Sequence, residues 1–130
     1  MTAADGSPRD PQWLGRYGET VAAAWLRAHC CKVLARNYRN RHRGRHTGEV
    51  DIVAREGRVL LFIEVKTRQE ATRVRPLLAV DKAKQRLIER GANDWLRSLG
   101  TRNIPWRFDV IEVYVRDGTP PRVVRVRDAF

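Results

Sequence analysis

Two stretches of the chain place apolar residues three and four positions apart, which is the spacing of one face of an α-helix. The first stretch runs from Gly15 to His29 and the second from Asp81 to Leu99. In the second, Asp81 stands where an N-cap is needed and Gly100 stands where a helix commonly ends. The pattern predicts two amphipathic helices.

Five runs rich in β-branched and apolar residues predict strands. They are Lys32–Arg39, Glu49–Arg55, Arg58–Thr67, Arg107–Val115 and Val123–Arg127. Glu56 and Gly57 separate the second run from the third, and glycine favours a tight hairpin turn there because it adopts positive φ. The order of elements predicts one domain over residues 13–130, preceded by a flexible tail over residues 1–12.

The chain is strongly cationic, and its cations are mostly arginine. Its 130 residues carry 26 Lys and Arg against 15 Asp and Glu, a net charge of +11, and only 4 of the 26 are lysine. Such a surface favours a polyanionic partner, because each cation set against a phosphate releases a counterion. Nucleic acid is the first expectation and an acidic membrane surface the second. The alternative is that the charge reflects genome composition and is incidental.

Arginines crowd one region ahead of the central strands. They are Arg36, Arg39, Arg41, Arg43 and Arg45. The last three fall in a predicted loop, Asn40–Thr47. A basic loop is commonly a solvated one, and the alternative is that these arginines guide a phosphate backbone.

Nothing in the sequence indicates a membrane span or a secretory signal. The longest apolar run, Val21–Leu26, is too short to cross a bilayer. Residues 1–11 lack both a basic start and an apolar stretch. Cys30 and Cys31 have no further cysteines to complete a zinc site, so we expect a buried pair of reduced thiols. The sequence therefore predicts a cytoplasmic protein and leaves its oligomeric state open, a homodimer included.

The third predicted strand is apolar on both faces and ends in charged residues. Glu64 and Lys66 share a face there, and burying such groups is costly unless they pair or bind a ligand. With Glu56 and Gly57 as the hairpin turn, Asp51 lies opposite Phe62, on the same face as Glu64 and Lys66. A three-residue loop would instead turn Asp51 away from Glu64.

Two carboxylates converging from neighbouring strands suit Mg²⁺, which takes one or two carboxylates together with waters and phosphate oxygens. A metal there can activate water for attack on a phosphodiester, and Lys66 can orient that water or stabilise phosphate charge. The alternative is a purely structural ion pair among Glu49, Glu64 and Lys66.

The order of these motifs resembles the PD-(D/E)XK nuclease superfamily and, more narrowly, the YraN-like family of bacterial proteins. The matching segments are Gly18-Glu19, Arg36-Asn37-Tyr38-Arg39, Gly48-Glu49-Val50-Asp51, Phe62-Ile63-Glu64-Val65-Lys66-Thr67-Arg68, Lys84-Gln85 and Arg107-Phe108-Asp109-Val110. The resemblance covers about Gly15 to Tyr114. It implies an α/β fold of restriction-endonuclease-like type, with a central mixed sheet flanked by helices.

The resemblance also implies roles for individual residues. Asp51 and Glu64 would bind Mg²⁺ or Mn²⁺ with the carbonyl oxygen of Val65, Lys66 would lie beside the attacking water, and Glu19 would supply a third carboxylate. Without the resemblance, Glu19 is explained by the dipole at a helix start.

The resemblance further directs Arg68, Lys84 and Gln85 toward phosphate. Taken alone, Lys84 is equally well explained as a side chain that covers apolar surface with its stem.

The predicted function is Mg²⁺-dependent hydrolysis of nucleic acid, with DNA, branched or single-stranded, as the first candidate. One alternative is a non-catalytic nucleic-acid-binding module of the same fold, acting in DNA processing, repair or uptake. Another is a structural ion-pair protein whose charge is compositional.

Overall fold

A computed structural model of the protein describes residues 10–39, 47–69, 80–101 and 103–130. Each helix and strand predicted from the sequence is present there, with ends that differ by a few residues. In chain order they are α1 (Pro11–Ala28), β1 (Cys31–Arg39), β2 (Glu49–Glu56), β3 (Val59–Gln69), α2 (Lys82–Ser98), β4 (Trp106–Val115) and β5 (Arg122–Val126).

The strands form one mixed sheet in the order β1-β2-β3-β4-β5. β3 pairs with β4 in parallel, and the other neighbours are antiparallel. A parallel pair needs a crossover connection, and α2 lies within the connection from β3 to β4. The predicted α/β class with a central mixed sheet flanked by helices is confirmed, and the architecture is consistent with a restriction-endonuclease-like fold.

β3 is buried on both faces and separates two hydrophobic cores. Leu61 and Ile63 pack into the core on the α1 side of the sheet, while Leu60 and Phe62 pack into the core on the α2 side. This alternation explains why the sequence of β3 is apolar almost throughout. Because β3 is so deeply buried, a charged side chain near its end is costly unless it pairs or binds a ligand.

Helix α1 begins at Pro11, four residues before the predicted start at Gly15. The Asp10 side chain accepts a hydrogen bond from the Gln12 backbone N–H at 3.0 Å and caps the helix. Aspartate followed by proline is a helix-start pattern, because proline needs no hydrogen bond at the first helical position. Residues 1–9 of the predicted tail lie outside the described residues.

The hairpin between β2 and β3 turns one residue later than predicted. Glu56 pairs with Val59, so Gly57 and Arg58 form the turn, and Gly57 has the expected positive φ of 58°. The register therefore moves by two residues, and the expected pairing of Asp51 with Phe62 is wrong. The reason is that Glu56 is retained in the strand by arginine side chains from β4 and β5.

Those arginines belong to an ion-pair cluster that joins β2, β4 and β5, here called the Arg125 cluster. Arg125 donates to Asp109 Oδ2 from Nε at 3.1 Å and from Nη2 at 2.9 Å, and to Glu56 at 3.0 Å from both Nη atoms. Arg107 and the Asp128 backbone N–H satisfy Asp109 Oδ1. Because Asp109 is fully buried, these bonds compensate the cost of removing its charge from water.

The two cysteines differ in environment. Cys31 is buried but Cys30 is exposed, so the expectation of a buried pair is wrong for Cys30. Cys30 is exposed because it lies in the turn from α1 to β1, where it adopts a positive φ of 64°. No helix within the described ranges is both long enough and apolar enough to cross a membrane.

Candidate functional site

The sheet divides near the start of β2, where Asp51 lies. The β2–β3 ladder ends at the pair Ile52 and Ile63, whereas β3 continues along β4 as far as Gln69. Past the end of the ladder, the backbone N–H of Val65 donates to Asp51 Oδ2 at 2.9 Å. The Asp51 carboxylate thus takes the place of a strand partner at the opening.

Glu64 lies at this opening and is 4% exposed. Its Oε2 atom has no hydrogen-bond partner among the described residues. Burial, together with the neighbouring Asp51 carboxylate, raises the pKa of Glu64 to about 8. Buried carboxylate oxygens are nearly always satisfied, so one left unsatisfied calls for an explanation such as an ion.

Two lysines flank Glu64 at distances too long for a hydrogen bond. Lys66 Nζ is 3.8 Å from Glu64 Oε1, and Lys84 Nζ is 3.8 Å from Glu64 Oε2. Lys66 follows Glu64 by two positions in β3 and so shares its face. Asp51, Glu64 and Lys66 therefore come together, although by a register different from the predicted one.

Lys84 is held mainly by Glu49. Its Nζ donates to Glu49 Oε1 at 2.7 Å, and this hydrogen bond lowers the pKa of Glu49. Burial opposes the charge of Lys84, but the bond to Glu49 and the nearby Glu64 and Asp51 carboxylates raise its pKa on balance. Lys84 thus joins α2 to the acidic opening, as the functional alternative for Lys84 expected. Its pairing with Glu49 was not predicted, and its contact with phosphate stays a prediction.

The structural alternative expected one ion pair among Glu49, Glu64 and Lys66, and in the structure the partner of Glu49 is Lys84. Glu49 is paired with Lys84, and at 3.9 Å with Arg39, while Lys66 is beside Glu64 on the same strand. Gln85 is engaged locally, since its side-chain amide donates to the Val80 carbonyl oxygen at 2.8 Å.

Glu19 reaches the site because α1 crosses β3 at close range. A Cβ atom on Gly18 would lie 1.8 Å from Thr67 Oγ1, so only glycine permits this approach. Burial and the charge of Asp51 raise the pKa of Glu19. The helix-dipole explanation is wrong, because α1 starts at Pro11 and Glu19 is beyond its first turn.

One residue near Glu19 was overlooked as a functional candidate. Asn37 lowers the pKa of the Glu19 carboxylate and so opposes the effects of burial and of Asp51. Asn37 adopts a positive φ of 53° inside β1, which the alternating pattern of the strand does not predict. Its residue type was the available indication, since asparagine enters the left-handed region more readily than other side-chain-bearing residues.

The predicted phosphate-binding arginines are only partly described. Arg36 donates to Thr20 Oγ1 at 3.1 Å, Arg39 has a side chain 73% exposed, and Arg68 lies half-buried at the end of β3. Arg41, Arg43 and Arg45 lie outside the described residues.

The residues at the opening fit a hard divalent cation. Within the ranges described, no group of three or more His, Cys, Asp or Glu side chains is arranged to hold a metal by itself. Mg²⁺ needs only one or two protein carboxylates, because waters and phosphate oxygens complete its shell. Asp51 and the unsatisfied oxygen of Glu64 meet that requirement.

Fold and site together define a restriction-endonuclease-like α/β domain with an acidic site where two central strands separate. Residues 18–113 match the family described as "Uncharacterised protein family UPF0102", and the chain belongs to this family. The YraN-like assignment made from the motifs is confirmed.

Relatives of the chain match it over most of their length. A UPF0102 protein of Geobacter sulfurreducens is 41% identical over 130 residues, which is 100% of this chain and 97% of the relative. A UPF0102 protein of Rhodococcus jostii is 41% identical over 117 residues, 90% of this chain and 95% of the relative. A UPF0102 protein of Geotalea daltonii is 39% identical over 121 residues, 93% and 91% of the two chains.

Proposed function

We propose that this protein is a Mg²⁺-dependent nuclease that hydrolyses phosphodiester bonds in nucleic acid, with DNA as its first candidate substrate. One observation carries the proposal. Among the described residues, the buried Glu64 keeps one carboxylate oxygen without a hydrogen bond next to Asp51, at the opening between β2 and β3. Such a group is costly in a purely structural role.

Asp51 and Glu64 would hold the cation, with Glu19 and the carbonyl oxygen of Val65 as further oxygen donors. A bound Mg²⁺, or Mn²⁺ in its place, supplies charge that polarises the phosphodiester and lowers the pKa of a water molecule. Asp51 is fixed in place by the Val65 N–H, so it is preorganised for this role without a change in the backbone.

Lys66 would act on the phosphate or on the attacking water. Its side chain is 36% exposed, so it can meet a ligand while its ammonium stays 3.8 Å from Glu64. A lysine supplies a compact charge that approaches closely, whereas an arginine presents a planar fork. The ammonium would stabilise negative charge that develops on the phosphate oxygens.

Substrate binding would draw on the positive charge of the chain. The net charge of +11 favours a polyanion. Arg68 lies on β3, which carries part of the site, and Arg36 and Arg39 lie on β1, which pairs with β2. Contacts of this kind position a phosphate backbone without reading its sequence. Arg41, Arg43, Arg45, Lys84 and Gln85 are further proposed contacts.

The test uses end-labelled duplex, single-stranded and branched DNA, and RNA, each with Mg²⁺, Mn²⁺ or EDTA. Metal-dependent cleavage is expected, falling roughly 100-fold or more in Glu64→Gln and Lys66→Met. Glu89→Gln, on the exposed surface of α2, is the matched control and should cleave as the wild type does.

Equal cleavage by Glu64→Gln and the wild type would contradict the catalytic assignment. Absence of cleavage, with salt-sensitive binding that needs no metal and survives Asp51→Asn, would favour the nucleic-acid-binding module instead.

A further inference from the structure

A row of three residues crosses the sheet just beyond the candidate site. β3 pairs Arg68 with Tyr114 of β4, and β4 pairs Tyr114 with Arg122 of β5. Residues paired directly across neighbouring strands share a face of the sheet. Because Arg68 follows Glu64 by four positions in β3, this is also the face of Glu64 and Lys66. The two arginines therefore flank Tyr114 on the same side of the sheet as the site.

Tyr114 holds Arg122 in place. The Arg122 Cζ atom lies 4.2 Å from the centroid of the Tyr114 ring, which is a cation–π contact. Tyr114 is 5% exposed, and its hydroxyl donates to Glu112 Oε2. Arg122 itself is exposed, so a solvated guanidinium lies over a fixed ring. A cation–π contact depends on charge, so it orients the guanidinium without needing its N–H donors.

The row stands one step away from Lys66. Glu112, which accepts from Tyr114, is the direct partner of Lys66 in the β3–β4 ladder. Two residues of a strand span about 6.6 Å, so Arg68 lies about that far beyond Lys66 along β3. Neighbouring phosphates of one nucleic-acid strand are a comparable distance apart. A strand with one phosphate at Lys66 would therefore bring the next phosphate to the row.

Arg68 and Arg122 can meet on one anion. Each lies one strand away from Tyr114, so their Cα atoms are about 10 Å apart, a gap that two arginine side chains can close. The hydrogen bond to Glu112 raises the pKa of Tyr114, and the charges of Arg122 and Arg68 oppose that rise. Two guanidinium groups suit a phosphate, because each presents N–H donors in a planar fork.

We propose that Arg68 and Arg122 form a single phosphate-binding subsite, which holds the phosphate next to the one at Lys66, with the Tyr114 ring positioning Arg122. The subsite rests on the proposed function, in which Lys66 acts at the phosphate that is cleaved. The bound strand then runs along β3 from Lys66 toward Arg68. Phosphate contacts of this kind fix the position of a strand and carry no sequence information.

The test measures binding of a fluorescein-labelled oligothymidylate by fluorescence anisotropy in EDTA, at several salt concentrations. Arg68→Gln and Arg122→Gln should each weaken binding roughly 3- to 10-fold. The double variant should lower the slope of log K against log salt by roughly 0.7, which is the contribution of one phosphate in a single strand. Two separate phosphate contacts would lower it by about 1.4.

The matched control is Arg127→Gln. Arg127 is an exposed arginine that directly follows β5, at the end of the strand opposite to Arg122, and its loss should leave oligothymidylate binding unchanged. Arg122→Lys combined with Arg68→Gln keeps one cation in the subsite and should restore the wild-type salt slope, which a structural role for Arg122 would not. Circular dichroism verifies that each variant is folded.

Cleavage assays on the same variants separate the subsite from the proposed function. Wild-type protein that does not bind the oligothymidylate, wild-type affinity in Arg122→Gln, or a slope change of about 1.4 in the double variant would overturn the subsite. Binding that depends on Arg68 and Arg122, without any Mg²⁺-dependent cleavage, would overturn the proposed hydrolysis and support the phosphate contact. Cleavage with unchanged binding in the double variant would overturn the subsite alone.

Discussion

Replacing Arg125 with methionine should strongly destabilise the protein, because it removes four hydrogen bonds from the Arg125 cluster. The Arg125 side chain is 6% exposed and Asp109 is fully buried. In Arg125→Met, Asp109 Oδ2 loses both of its arginine donors, while Oδ1 keeps Arg107 and the Asp128 N–H. Methionine fills a similar space, so lost charge compensation dominates.

The size of the stability loss in Arg125→Met follows from the buried charge that is left without its partner. Breaking a buried ion pair from one side costs about 3–5 kcal/mol. Since Asp109 keeps half of its partners, we expect a loss of about 3 kcal/mol in the free energy of unfolding. That is a large part of the roughly 5–15 kcal/mol typical of a domain.

Urea denaturation followed by circular dichroism at neutral pH measures this loss. Arg127→Met is the matched control, because Arg127 contacts the same Glu56 at 3.4 Å but is 60% exposed. Exposed pairs contribute less than about 1 kcal/mol. Similar losses in the two variants would refute the reasoning that burial sets the value of these ion pairs.

Three further predictions concern individual side chains. Hydrogen bonds from Arg125 lower the pKa of Glu56 from 4.5 to about 2, so its carboxylate stabilises the fold above pH 4.5 and loses this effect as the pH falls to about 2. Glu56→Gln should therefore lose less stability than the wild type in urea denaturation between about pH 6 and pH 3, the difference being roughly 1–2 kcal/mol after solvent screening. Gly18→Ala should cost about 1–3 kcal/mol in thermal unfolding, because its Cβ would overlap Thr67. Lys84→Met should cost about 1–2 kcal/mol in urea, because Glu49 loses its 2.7 Å partner.

Each of the three has a control within the chain. Glu89→Gln should keep the wild-type pH dependence, and Gly15→Ala, with open space at its Cβ, should be neutral or stabilising. Lys82→Met changes an exposed lysine of the same helix as Lys84. A variant that behaves like its control would contradict the contact on which its prediction rests.

Local pattern was enough to predict the helices and strands. The stripe of apolar residues in α2 and the doubly apolar β3 follow from burial alone. Asp81 was recognisable as an N-cap, and its side chain does accept from the Lys84 N–H at 2.8 Å. The start of α1 was also present in the sequence as Asp10 followed by Pro11, but periodicity does not report caps.

The site was predictable in its residue types but not in its construction. Asp51, Glu64 and Lys66 were found because charges at the end of a buried strand are costly. The hairpin turn was misplaced because Glu56 is held by Arg125, which lies far away in sequence. The left-handed backbone of Asn37 was not predicted either, because the alternating pattern of a strand does not report the φ of a single residue.

Because Asp51 accepts a hydrogen bond from the Val65 N–H, replacing Asp51 and replacing Glu64 should have opposite effects on the stability of the fold. Active-site residues commonly lower the stability of a protein, and replacing them commonly raises it. As a residue of the proposed site, Glu64 should follow that rule, because a neutral, apolar replacement removes a buried carboxylate whose Oε2 has no hydrogen bond among the described residues. Asp51 does not follow the rule. Asp51→Asn keeps an acceptor for the Val65 N–H, whereas Asp51→Ala leaves this main-chain donor without its hydrogen bond and so lowers stability. A variant without the proposed chemistry would thus tolerate the loss of Glu64 but would still need an acceptor at position 51.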